Sequence, residues 1–115
     1  MQDSRFRLAV VLIALIIFIP ATQCWAGDDA ALIYKTKCAV CHGADGLSKT
    51  PMGKKQSIPS FAADKVQKSS PADIEDFILN GGKEKKASHA FSGKGIGNED
   101  AKKLATYIKE LGKKK

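Results

Sequence analysis

The chain is 115 residues long and carries 19 lysines and arginines against 12 acids, a formal net charge of +7. Arginine occurs only at Arg5 and Arg7 and aromatic rings make up 7% of the residues, a balance unlike the interleaved arginines and aromatics of nucleic-acid interfaces. At this length the expectation is one domain with a thin core, which leans on a cofactor or a staple.

Arg5 and Arg7 precede an unbroken apolar run of twelve residues, Leu8 to Ile19, and Pro20, Thr22 and Gln23 lead on to Cys24-Trp25-Ala26. This is the layout of a secretory signal peptide cleaved after Ala26. Twelve residues also fall short of the about 20 that a membrane-spanning helix needs. Residues 1–26 are therefore read as a signal peptide and residues 27–115 as the mature domain, a periplasmic monomer with no stable membrane span. An acylated Cys24 is the competing reading, and Gln23 directly before it argues against that. Removal of the leader leaves 17 lysines, 11 acids and no arginine. Cys38 and Cys41 are then the only thiols, and no disulfide is required despite the oxidising compartment.

A first helix is expected through Ala30, Ala31, Leu32, Ile33, Tyr34 and Lys37, capped by Asp28 or Asp29. It runs into Cys38-Ala39-Val40-Cys41-His42. C-x-x-C-H is the attachment motif of c-type haem: each thiol adds across one vinyl group, and the adjacent imidazole reaches the iron. Cys38 and Cys41 are assigned to covalent attachment and His42 to the metal. Two other uses of the motif fit less well. A thioredoxin-like dithiol belongs in a βαβ context, and no alternating β-branched runs occur here. A zinc site wants a second ligand pair, whereas His89 is the only other histidine. Haem would be the largest apolar object in so small a core, and the chain without it is expected to fold poorly.

Beyond the motif, Gly43, Gly46 and Gly53 with Pro51 and Pro59 read as a long irregular segment folded over the haem edge. Ser70-Pro71-Ala72-Asp73 is a helix start with proline at the first helical position, and Ile74, Phe77 and Ile78 follow on one stripe before Gly81 and Gly82 end it. Asn98-Glu99-Asp100 opens a last helix with acids at its positive end. Ala101, Leu104, Ile108 and Leu111 then recur at helical spacing, and Gly112 is expected to stop it. No strand is required. The exposed lysines either keep the protein soluble or steer it toward an acidic docking surface on a redox partner.

Motif and helix order together resemble, over nearly all of residues 27–115, the class I monohaem cytochromes c, in particular the small bacterial periplasmic carriers. Tyr34, four positions before Cys38, and Tyr107 with Ile108 match the places where the first and last helices of that family cross. Cys41-His42-Gly43 followed by Ala44-Asp45-Gly46 has the family form. Thr50-Pro51-Met52-Gly53 resembles the loop whose proline carbonyl accepts the hydrogen bond of the proximal histidine, which implies that role for Pro51. The resemblance implies an all-α fold of three to five short helices around one covalently bound haem c. It also implies an electron carrier, not an enzyme, passing single electrons between redox partner proteins.

The departure from the family lies at the sixth iron ligand. Methionine usually stands just before the last helix, where this chain has Ser88-His89-Ala90-Phe91. His89 is the leading candidate, giving bis-histidine ligation with His42 and a lowered potential. Met52, the one methionine after the leader, is the rival, although related loops carry an apolar packing residue there. An open iron would admit small ligands and suit a gas-binding or peroxidase-like protein, for which the mature chain offers neither arginine nor a third histidine as acid–base partner. A haem subunit of a larger oxidoreductase is the third reading.

Overall fold

Six helices and no strand make up the described residues, 27–114, of this computed structural model. The leader, its cleavage point and Cys24 lie outside them. The helices are α1 (Gly27–Lys37), α2 (Ala39–His42), α3 (Pro51–Lys55), α4 (Asp64–Lys68), α5 (Pro71–Asn80) and α6 (Asn98–Lys113). The fold is all-α, as expected, but in more pieces than three to five. The segment read as irregular contains one helix of about one turn, α3, and a second short helix, α4, follows it, the two joined by turns and coil over 56–63. For α3 the local cause is clear: Thr50 is extended, accepts the Gly53 N–H on its side chain, and hands over to Pro51 at the first helical position.

Asp28 and Asp29, expected as caps of the first helix, lie within α1 over the described residues. Asp29 meets Lys103 of α6 at 3.5 Å. The start of α5 is as expected. Ser70 Oγ accepts from the Asp73 N–H at 3.1 Å while the Asp73 carboxylate accepts from the Ser70 N–H at 3.2 Å, a reciprocal cap. Gly81 closes the helix in the left-handed conformation, φ 81°, with no room for a side chain against the Lys86 backbone.

The last helix starts at Asn98 but does not stop at Gly112. It continues to Lys113, with Gly112 buried inside it. A Cβ at that position would strike the Phe61 carbonyl and the Gln67 side chain, so this glycine serves close approach, not termination. Around α6 the core assembles: Ala101, Leu104 and Ile108 pack with Ala30 and Tyr34 of α1, Phe61, Ile78 of α5, and Ile96. Tyr34, 2% exposed, sits 5.3 Å from Tyr107 and 6.1 Å from Phe61 between ring centroids. The α1–α6 crossing implied by the resemblance is thus present. Among the described residues no helix is long and apolar enough to cross a membrane.

Candidate haem site

The Cys38 N–H donates to the Tyr34 carbonyl at 2.9 Å, so the end of α1 delivers the chain directly into the attachment motif. A single turn, α2, then carries Val40, Cys41 and His42. Both cysteines are free thiols and half-buried, and Val40 between them is 71% exposed, so the motif lies at the surface. Burial pushes the Cys38 thiol up to about 11, against the opposing charge of Lys37.

A helix of one turn leaves carbonyls at its end without helical partners, and three at the end of the motif find others. The Cys41 carbonyl accepts from the Thr50 hydroxyl at 2.6 Å, the His42 carbonyl from the Ser48 N–H at 2.8 Å, and the Gly43 carbonyl from the Tyr34 hydroxyl at 2.6 Å. Ser48 holds its place in left-handed backbone, φ 55°. It is buried, with its hydroxyl on the Pro59 carbonyl at 3.1 Å.

The His42 ring stacks on Phe61, centroids 4.6 Å apart and planes 25° from parallel. Its Nδ1 is buried and has no hydrogen-bond partner. Burial, then the neighbouring His89, holds its pKa down to about 4, so the ring is neutral at ordinary pH with a lone pair free for a metal. His89 approaches from the turn between α5 and α6. Its N–H bonds the Lys86 carbonyl at 2.9 Å, and the next anchor, from the Phe91 N–H to the Ile78 carbonyl at 3.0 Å, ties the segment to α5. Its ring rests on Phe77 at 4.5 Å and lies 5.8 Å from the His42 ring. Ser88 Oγ pairs with its Nδ1 at 3.2 Å. Burial, then the charges of Lys86 and Lys94, lowers its pKa.

Two half-exposed thiols and two neutral imidazoles with rings 5.8 Å apart are a donor set that fits a covalently attached haem. At that separation His42 and His89 are near enough that both would hold one metal ion. Among the described residues no three His, Cys, Asp or Glu side chains are grouped to share an ion. Haem asks for less, because its own ring supplies the in-plane ligands.

The remaining expected residues lie apart from this pair. Pro51 is exposed at the first position of α3, and its carbonyl makes no hydrogen bond to the unpartnered His42 Nδ1. Met52 is 41% exposed, which overturns the expectation that it packs in the interior. The residues that sequence reasoning missed are Phe61 and Phe77, which flank the imidazoles, and Thr50. For Thr50 a signal existed, since threonine before proline is a helix start; for the two rings no local pattern marks a contact made by distant chain.

A family model described as cytochrome C oxidase, cbb3-type, subunit III matches residues 26–108, all of α1 to α5 and most of α6. No curated protein and no solved structure matches the chain. The matched span contains Cys38, Cys41 and His42 together with the crossing helices, and a c-type domain of this kind holds haem c through thioether bonds and passes electrons through its iron. By that match the chain belongs to the cbb3-type cytochrome c oxidase subunit III family, a c-type monohaem cytochrome that carries covalent haem c and transfers electrons.

Proposed function

We propose that the mature chain is an exported one-electron carrier whose haem iron is held between His42 and His89. The observation that carries this reading is the approach of the two imidazole rings to 5.8 Å, with the attachment cysteines beside one of them. The haem supplies the redox change, one electron gained or lost at iron. The chain's own residues tether, ligate and shield. Cys38 and Cys41 anchor the ring edge, and burial keeps both imidazoles neutral and able to ligate. Phe61 and Phe77 close their flanks against water. Pro51 stands as the proposed acceptor for the His42 Nδ1 proton, since its neighbour Thr50 is already bonded to the motif. Met52 is the alternative sixth ligand.

In this reading residues 1–26 are removed, residues 27–115 work in the periplasm as a monomer, and the acceptor or donor is a protein with an acidic face. Exposed Lys35, Lys37, Lys49, Lys54 and Lys55 precede and follow the motif and support such docking, in which electron-transfer rates fall as salt screens the attraction. The test is direct. Haem stain should stay with the protein in denaturing electrophoresis, a potentiometric titration should follow a one-electron curve, and low-temperature magnetic spectroscopy should report two nitrogen ligands. Haem extracted by acidified organic solvent, or a sulfur ligand in the spectrum, would sink the corresponding part. The family description names an oxidase subunit, which favours a second reading, a haem subunit of a larger complex. Co-purification with membrane partners under native conditions distinguishes it from a free carrier.

A further inference from the structure

The carbonyl that Thr50 holds belongs to the peptide joining Cys41 to His42, the link between the second attachment thiol and the iron-binding imidazole. The Thr50 hydroxyl donates to that carbonyl at 2.6 Å and accepts the Gly53 N–H at 2.9 Å. One oxygen thus joins the motif to the first turn of α3. Gly53 makes the junction tighter. A Cβ there would lie 2.7 Å from the Cys41 carbonyl oxygen and closer still to that of Ser48, so α3 rests on the motif backbone against backbone. The direction of the imidazole depends on the peptide plane beneath it and on the Phe61 ring on which it stacks at 4.6 Å.

We infer that Thr50 is a positioning residue of the haem site: its hydroxyl fixes the Cys41–His42 peptide plane and through it the orientation of the His42 imidazole at iron. The inference rests on the reading of His42 as an iron ligand. Imidazole orientation sets how the ligand overlaps the iron orbitals, so it tunes the metal as the outer contacts of ligating histidines do elsewhere. Valine keeps threonine's shape and branching but leaves the Cys41 carbonyl and the Gly53 N–H unpaired, both part-buried. The peptide is then free to turn.

The experiment uses haem-loaded protein and two readouts, the low-spin electron paramagnetic resonance signal and the midpoint potential. Thr50→Val should broaden or split the signal and move the potential, and Thr50→Ser should restore both. Ser70→Ala, which removes a cap of α5 away from the motif, should lower the denaturation midpoint and leave both readouts unchanged. A wild-type signal and potential in Thr50→Val would overturn the inference, as would an equal shift in Ser70→Ala, since the effect would then be general loosening. Should Thr50→Val yield no holoprotein, Gly53→Ala decides. It forces α3 off the Cys41 carbonyl with the hydroxyl intact, so an altered signal supports the clamp and an unaltered one refutes it. Failure of the underlying reading looks different: His42→Ala would then keep the axial-imidazole signal whatever residue stands at 50, and the inference would fall with it.

Discussion

The Tyr34 hydroxyl donates to the Gly43 carbonyl at 2.6 Å, joining the first helix to the residue directly after His42. Burial, with the nearby Cys38, holds the phenol well above its usual range, so it stays a donor at any working pH. Tyr34→Phe keeps the ring against Tyr107 and Phe61 and removes only this bond. Loss of a buried bond of this kind costs about 1–3 kcal/mol, toward the lower end here because the Gly46 N–H also reaches the Gly43 carbonyl at 3.2 Å. Denaturant titration followed by haem absorbance should give a lower midpoint with an unchanged slope.

His89→Ala is expected to free the sixth position, giving a high-spin oxidised spectrum and reactivity toward carbon monoxide. Met52→Leu, at an exposed site, should leave the spectrum as it was. Unmutated protein should lack the weak near-infrared band of sulfur ligation and have a potential below that of histidine–methionine cytochromes. Should Met52→Leu open the iron and His89→Ala not, Met52 is the ligand. Carbon monoxide binding by the unmutated protein would favour the open, ligand-binding class.

At Gly112 even one methyl group is too much. Gly112→Ala drives a Cβ into the Phe61 carbonyl and the Gln67 side chain, and overpacking of this kind costs about 1–3 kcal/mol. Because Phe61 is the ring on which His42 stacks, thermal unfolding of the variant should begin earlier. Gly93→Ala, with open space around it, is the matched control and should change little.

The cap at Ser70 provides a prediction in pH. Ser70→Ala should cost about 1 kcal/mol at neutral pH, as for other N-caps. The hydrogen bonds from Ser70 hold the Asp73 carboxyl below its usual range. The folded-state value is therefore the lower one, so its contribution is present above the unfolded carboxylate pKa and lost as pH falls through the folded one. Ser70→Ala and Asp73→Asn should both flatten the acid limb of a stability–pH curve. An acid limb identical to that of the unmutated protein in Asp73→Asn would rule the cap out as its source.

What the sequence discloses here divides by the range of the interaction. Ser70-Pro71 and Gly81 mark the ends of α5 because caps and left-handed glycines act on their own few neighbours. The C-x-x-C-H motif is equally self-contained, since its chemistry needs residues only one turn apart. Gly112 misleads for the opposite reason: it obeys Phe61 and Gln67, far away in sequence, and a glycine chosen for close approach looks the same as one chosen to end a helix. Met52, read as a packing residue because it is apolar, is exposed because α3 turns its glycine to the motif. His89 was legible only through its station before the last helix; that its ring meets Phe77 and His42 depends on how the turn after α5 folds back.

The two imidazoles are secured very unequally. His42 sits on a peptide segment tied to α1, to α3 and to a buried serine, so it is released only when most of the molecule opens. His89 follows residues 83–88, all exposed, held by the turn's own backbone bonds and by Lys94 reaching the Ala87 carbonyl at 2.8 Å. Segments with few buried contacts open locally at a fraction of the global free energy. The turn can therefore breathe while α1 and α6 stay crossed, and amide exchange should be fast through 83–89 and slowest at Leu104 and Ala105. With His89 as the proposed sixth ligand, its exchange at iron would be a property of one small loop, independent of the stability of the whole.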